Sequence, residues 1–449
     1  MARCFRVPSP ATSPRGGARR MGWATRWLAV LLALALLAPA AAPAQAGPGR
    51  DDAVPTTLAD TPNSAFSGEE AFRHVSYLAD HVGSRPAGSD KEAEAAAYLA
   101  AELTRYGLQT EIQPFSIQLY EERAARVTPL DPAGPPIETS AFIYSGAGTV
   151  DAELVDAGLG RPTEWAPGAL AGRVALLERG ELTFAEKIAN VTEAGAVAAI
   201  VFNQSDRGFT GTLRNISNIP AVTLGRSDGE ALREQLARGP VRVEVAVDAS
   251  VVTRQSRNVI GRLPGSRPGT VVVGGHFDSV PAGPGANDNG SGTATVLELA
   301  RVFSQRQYPY TLVFVAFGSE EIGLRGSRHF VEALSDAERQ EIKAMINLDM
   351  VGVGDEEHLV GTTELVDLAR EVADAMPLQG YRASGGGAGA SSDHDSFQRV
   401  GIPILFIYRE SDPNYHSPRD LAEYVDPANL ALAGQLATGV LARLAAEER

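Results

Sequence analysis

The sequence predicts an α/β fold: a mixed, mostly parallel central sheet with helices on both faces, interrupted by a smaller inserted β/α domain. Three observations carry this expectation. After Ser256, short apolar segments alternate with amphipathic ones, the pattern of parallel strands buried on both faces and joined by helices. Between Ser140 and Val247 the texture changes to short strands and helices with no cluster of candidate ligands or nucleophiles. The 449 residues are also enough for two ordinary domains.

The elements follow in order. Residues 1–46 hold six arginines and no acid, an apolar run Leu28 to Leu37, and the small-residue exit Ala44-Gln45-Ala46. Basic start, apolar middle and A-x-A exit define a secretory signal peptide, and a complete one also begins at Met21. The run is short for a bilayer span. Cleavage near Ala46 therefore predicts a secreted or periplasmic protein with no membrane attachment; an uncleaved membrane anchor is the alternative. It also shifts the formal net charge from −15 to −21, by loss of six arginines. So acidic a chain is a poor partner for nucleic acid or anionic membrane. Cys4, the only cysteine, lies in the leader, which excludes disulfide and thiol chemistry from the mature chain.

Residues 47–66, rich in Pro, Asp and Thr, read as a flexible arm. Residues 67–135 form the first part of the principal domain. Phe72, Val75, Leu78 and Ala79, then Ala93, Ala96, Tyr98, Leu99 and Leu103, recur at helical spacing on either side of the turn Gly83 to Gly88. Residues 108–117 alternate like a strand. The insertion, 136–250, carries strands at Val150 to Asp156, Arg173 to Leu177, Ala196 to Phe202 and from Ile219. Its helices are Phe184 to Ala194 and Ser227 to Ala237. It reads as a binding or lid domain; the alternative is the first half of one large domain. Residues 251–449 carry strands at Asn258 to Gly261, Val271 to Gly274, Thr311 to Phe317, Ile342 to Leu348 and Ile402 to Tyr408. Helices run from Ser291 to Ser304 and from Leu430 to Leu444.

Five motifs follow these strands or open a helix. They are His276-Phe277-Asp278, Asn287-Asp288-Asn289-Gly290, Ser319-Glu320-Glu321, Asn347-Leu348-Asp349 and Tyr415-His416-Ser417. Parallel strands release their C-terminal residues at one sheet edge, where α/β folds bind ligands. Imidazole nitrogen and carboxylate oxygen are zinc donors, and catalytic sites leave a position for water. A pair of ions needs a bridging carboxylate and ligands on each outer side. Asp288, in a glycine-rich turn entering a helix, is the natural bridge. His276 followed two residues later by Asp278 suits a ligand held by a neighbouring carboxylate. Adjacent Glu320 and Glu321 repel unless a cation or proton compensates; one can ligate while the other acts as general base. Each motif alone has an ordinary reading as a turn, a packed histidine or an exposed helix start. Their agreement at one edge points to two Zn2+ ions. His74, His81, His329 and His358 lack such settings and read as surface or packing residues, and His394 as part of a loop beside the pocket.

At this point the chain resembles the secreted di-zinc aminopeptidases of the aminopeptidase Y type, relatives of the glutamate carboxypeptidase and transferrin-receptor group. Gly275 to Asp278, Gly285 to Gly292, Gly318 to Leu324, Asn347 to Met350, Ser392 to Asp395 and Tyr415 to Asp420 carry the resemblance. The insertion resembles a protease-associated domain through Gly172 to Leu177, Phe184 to Lys187, Ala194-Gly195-Ala196 and Ile219 to Val222. The cysteine often found near that domain's Arg-Gly turn is replaced by Glu181 after Arg179-Gly180. The resemblance implies a zinc exopeptidase-like fold acting on peptide or protein N-termini through a hydroxide shared by two zincs. It implies that His276 and Asp349 hold one zinc, Glu321 and His416 the other, and that Asp288 bridges them. Glu320 becomes the general base, Asp278 orients His276, and Tyr415 stabilises the oxyanion. A carboxypeptidase or dipeptidase on the same site, a one-zinc glutaminyl cyclase, and a non-catalytic binding protein are the alternatives.

Overall fold

A computed structural model describes residues 66–376, 378, 380–387 and 392–446. The signal peptide read in residues 1–46, and the arm apart from Phe66, lie outside the described residues. The chain begins with α1 (Gly68–Ser76), a π-helical segment Tyr77–Val82, α2 (Asp90–Arg105) and β1 (Gln109–Asp131). The insertion contributes β2 (Ile137–Thr139), β3 (Gly148–Asp156), β4 (Val174–Glu178), α3 (Phe184–Glu193), β5 (Ala198–Phe202), β6 (Ala221–Leu224) and α4 (Arg226–Leu236). Then follow β7 (Arg242–Leu263), β8 (Thr270–His276), α5 (Gly292–Phe303), β9 (Thr311–Phe317), α6 (Arg325–Ala333), α7 (Asp336–Glu341) and β10 (Ile342–Leu348). The chain closes with β11 (Glu357–Gly361), α8 (Thr363–Asp374), β12 (Tyr381–Gly385), α9 (His394–Gln398), β13 (Ile404–Arg409) and α10 (Pro427–Ala446).

The principal sheet runs β12-β11-β13-β10-β8-β9-β7. Strands β13, β10, β8 and β9 are mutually parallel, while β11 and β7 run antiparallel to their inner neighbours. The uninterrupted apolar composition of β9 has a direct cause. Leu312, Phe314 and Ala316 pack under α1, α2, α5, α8 and α10, and Val313, Val315 and Phe317 pack on the other face with Phe330 of α6 and Phe397 of α9. A strand with a two-residue period and no polar face has to be covered twice.

Strand β7 joins this sheet to the insertion. It pairs with β1 from Gln109↔Arg262 to Asp131↔Arg242, an antiparallel ribbon. The other edge of β7 takes β9 at Val259 to Leu263 and β3 at Arg242 to Val247. From β3, the parallel strands β4, β5 and β6 continue the insertion's own sheet. That sheet is also covered on both faces, Val174, Leu176 and Ile200 in one cluster and Ala175, Leu177 and Val201 in the other.

The ribbon is longer than its apolar pattern predicts. The alternation over 108–117 and the short strand 258–261 mark only its end near the principal sheet. Further out it carries Glu121, Arg123, Arg126, Glu244, Asp248 and Arg254, which pair across the strands as Arg254–Glu121 at 2.8 Å, Arg123–Asp248 at 2.7 Å and Arg126–Glu244 at 3.3 Å. Such exposed pairs each contribute little; they replace apolar periodicity as the mark of a solvated strand. Among the described residues no helix is long and apolar enough to cross a membrane.

Candidate metal centre

The parallel strands β8, β9, β10 and β13 deliver their following residues to one edge. His276 is the last residue of β8 and is buried. Beyond β9 the chain turns at Gly318, where a Cβ would lie 2.4 Å from the Arg257 carbonyl oxygen, and at Ser319, whose φ is +60°. That turn presents Glu320 and Glu321. Asp349 follows β10, and His416 lies in the loop after β13. Asp288 comes from Ala286–Ser291, a distorted π-helical segment with a cis Asp288–Asn289 peptide. This segment reaches the strand ends because α5 starts on a glycine: a Cβ at Gly292 would meet the Leu348 carbonyl oxygen at 2.2 Å. Asn289 fastens the approach. Its side-chain amide donates to Leu348 O at 2.9 Å, and its side-chain oxygen accepts from Gly292 N at 2.8 Å and Met350 N at 3.1 Å.

The expected ligands converge. Asp288 turns one oxygen to each histidine: Oδ1 is 3.2 Å from His276 Nε2, and Oδ2 is 3.0 Å from His416 Nε2. His276 Nε2 is also 3.5 Å from Asp349 Oδ1, and His416 Nε2 is 3.1 Å from Glu321 Oε2. Two donors on one tetrahedral zinc, at about 2.1 Å each, stand roughly 3.4 Å apart. Asp349 fits the same use. Ser392 donates to its Oδ2 at 2.7 Å, while the buried Oδ1 has no hydrogen-bond partner. Glu320 is close as well, its Oε2 3.9 Å from His276 Nε2, and with His276 and Asp349 it forms a group of donor atoms within 4.8 Å of one another.

Asp278 does more than flank His276. Its carboxylate accepts from Glu320 N at 3.0 Å and Glu321 N at 3.3 Å, so it holds the Glu-Glu turn against the histidine. The His276 Nδ1 contact is closer to the Asp278 carbonyl oxygen, 3.2 Å, than to the carboxylate, 3.6 Å. Tyr415 is 51% exposed at the rim and stacks on His416 with ring centroids 3.8 Å apart.

The pocket is crowded with acids. Burial, reinforced by Asp393 and Asp349, pushes Glu320 far above the usual carboxylate range against the pull of His276. Burial and Asp288 push Glu321 up to about 8. Burial also disfavours the charge on Asp288, yet hydrogen bonds from His276 and His416 hold that carboxyl well below its ordinary value. Burial alone would lower His276, but Asp349 and Glu320 outweigh it and raise the imidazole. Buried acids this close ionise together only where protons or cations compensate. The donor set and its spacing therefore fit divalent cations.

Several residues around the centre escaped the sequence reading. Asp420 accepts from Asn287 N at 2.7 Å and Asp288 N at 3.0 Å, pinning the turn that carries Asp288. Arg85 is wholly buried behind the same turn. Glu92 of α2 is buried under Gly318, bonded by Ser256 Oγ at 2.5 Å and Gly88 N at 2.9 Å. Arg85 stands in the turn between the two helices and Glu92 in the charged first turn of α2, ordinary places for exposed charge, so no local pattern marks either as buried. His394 differs from the expected loop residue: it opens α9, is buried, and stacks on Phe406 at 4.5 Å. The other histidines pack on aromatic rings, His74 on Tyr98, His81 on Tyr77, His329 on Phe115 and His358 on Tyr408.

Histidines and acids gathered at the parallel edge of an α/β sheet, beside an insertion with its own sheet, define an α/β protein with a candidate metal centre. Residues 258–441 match peptidase family M28, and residues 150–232 match the PA domain. The chain is 34% identical over 410 residues to aminopeptidase YwaD of Bacillus subtilis (strain 168), covering 86% of each. Its structure is similar to that of the aminopeptidase from Aneurinibacillus sp. strain AM-1, with a TM-score of 0.76, 31% identity, and coverage of 86% of this chain and 96% of that one. It is also similar to a zinc aminopeptidase from Bacillus subtilis, with a TM-score of 0.71, 32% identity, and coverage of 85% and 96%. The chain belongs to peptidase family M28 and carries an inserted PA domain.

Glu92 generates a pH prediction. Burial pushes it up to about 7 from an ordinary 4.5, so the folded protein keeps a proton that the unfolded chain has lost. Stability from this group is complete below about 4.5 and declines as pH rises to about 7, by roughly 2–3 kcal/mol. Glu92→Gln should flatten that decline in denaturant unfolding measured across this window. Parallel profiles for the two proteins would rule out titration of Glu92 there.

Proposed function

We propose that this chain is a zinc-dependent aminopeptidase that removes N-terminal residues from peptides. The observation that carries the reading is the divided carboxylate of Asp288, one oxygen toward His276 and the other toward His416. In this reading His276 and Asp349 hold one zinc, Glu321 and His416 the second, and Asp288 bridges them. Bound there, the zinc pair would acidify a water to near neutral pKa and polarise the scissile carbonyl.

The chain's own groups do the rest. Glu320, which burial and the neighbouring acids keep protonated in the metal-free pocket, would ionise once cations compensate that charge, and then take the proton of the attacking water and return it to the leaving amine. Asp278 keeps Glu320 in reach through the two backbone hydrogen bonds to the Glu-Glu turn. Tyr415, at the rim beside His416, donates its hydroxyl to the developing oxyanion, a contribution of about 3 kcal/mol for such a donor. Excess acid in the pocket favours a substrate ammonium over a substrate carboxylate. The two buried arginines among the described residues are already engaged, Arg85 by backbone carbonyls and Arg409 by Glu357 and the Gly354 carbonyl. The acidic lining supports an aminopeptidase over a carboxypeptidase. The leader read in residues 1–46 supports export, and the limits 136–250 are proposed for the inserted domain.

Hydrolysis of leucine and arginine amides by chelator-stripped and zinc-reloaded protein tests the activity. We expect cleavage to return with two zincs per chain. Release of C-terminal residues from N-acetylated peptides, with none from free N-termini, would replace this reading by the carboxypeptidase. Glu320→Gln should keep both metals and lose about 10²- to 10⁴-fold in kcat; near-normal turnover would remove Glu320 as the base. His416→Ala should lose a zinc along with rate, and unchanged zinc content would strike it from the ligands.

A further inference from the structure

Arg85 is the largest fully buried charged side chain that the proposed chemistry does not use. It comes from the turn between the two N-terminal helices, far in sequence from every candidate ligand. Its guanidinium is spent on backbone carbonyls of two remote segments and of its own hairpin. Nε donates to Phe277 O at 2.7 Å, inside the His276–Asp278 motif. Nη2 donates to Gly285 O at 3.0 Å and Nη1 to Pro284 O, at the start of the turn that carries Asp288. Nη1 also meets Leu78 O at 3.1 Å and Gly83 O at 3.0 Å, tying the side chain back to its own hairpin. The backbone adds a reciprocal link, Arg85 N to Ser279 Oγ at 3.0 Å and Ser279 N to Arg85 O at 3.3 Å.

We propose that Arg85 is a positioning residue of the metal centre: its planar fork fixes the distance between the segment bearing His276 and the turn bearing Asp288. The inference rests on the two-zinc reading above. Arg85 makes no hydrogen bond or ion pair with the ligand side chains and feels Asp288 and Glu321 only through their charge, which Arg85→Lys would keep; what the fork itself contributes passes through the backbone they stand on. Only a guanidinium can do this. It presents donors in a rigid fork that spans both segments, whereas a lysine ammonium is a single point on a flexible stem. The fold demands the group as well, because a carbonyl buried without a donor is costly. Asp420 grips the same turn through the Asn287 and Asp288 amides. The turn is thus held at its carbonyls by a cation and at its amides by an anion.

The test is a zinc-binding measurement on the full chain, by competition with a chromogenic chelator, alongside melting of the zinc-free protein. The parent should bind two zincs; if it binds none, the two-zinc reading fails and not this one alone. Arg85→Lys keeps the charge and loses the fork. We expect it to fold and to bind zinc about 10- to 100-fold more weakly, the usual effect of removing a group that orients a ligand. A purely structural role would lower the melting midpoint of the zinc-free protein and leave the zinc affinity of its folded fraction unchanged; that result overturns the proposal. If Arg85→Lys does not accumulate as folded protein, Ser279→Ala decides, since the Ser279 hydroxyl both receives the Arg85 amide and donates to Gly283 O, a second tie between the same two segments. Zinc release to the chelator several-fold faster than in the parent supports the clamp, and an unaltered rate overturns it.

Discussion

The carboxylate of Asp288 has to face two histidines at once, and much of the surrounding structure exists to let it. His276 stands at the end of β8 and His416 in a loop beyond β13, so the two imidazoles arrive from different parts of the sheet. Asp288 can reach both only if its turn is pressed against the strand ends. The close contact of Gly292 with Leu348 O allows that approach, and the Asn289 side chain holds it. Asp420 and Arg85 then fix the turn from its amide and carbonyl sides. Each of these contacts involves backbone, which explains how a centre built on loops can be rigid.

The second constraint is electrostatic. Asp278, Asp288, Glu320, Glu321, Asp349 and Asp393 share one buried region with few positive side chains. Burial raises the free energy of every carboxylate there, and each raises that of its neighbours. The arrangement is expensive for a chain alone and natural for one that carries divalent cations. The same crowding gives the adjacent glutamates different neighbours: Glu321 lies 3.1 Å from His416 and Glu320 3.9 Å from His276.

The insertion is attached by pairing, not by a linker. The β1/β7 ribbon belongs to the principal sheet at one end and to the inserted sheet at the other. Its outer half was invisible to hydrophobic periodicity because charged cross-strand pairs take the place of apolar alternation. The inner strands were legible for the opposite reason. Thr311–Phe317 and Ile342–Leu348 are buried on both faces, so every residue in them is under the same apolar demand. Asn289, Ser392 and Asp420 sat inside motifs that drew attention, yet their partners are remote and no local pattern names them.

Residue order alone marked the buried parallel strands and the helices α1 to α5 and α10, and it put His276, Glu320, Glu321 and Asp349 at strand ends and His416 in a following loop, because burial and turn formation impose local periods and local residue types; α6 to α9, β11 and β12 lay outside that reading. It did not specify the distances among those groups, the length of the ribbon, or the tasks of Arg85 and Glu92. These depend on contacts between segments separated by many residues. A buried guanidinium or carboxyl looks the same in sequence whatever it bonds to, and its partners are chosen only when the sheet, the helical hairpin and the ligand turns pack together.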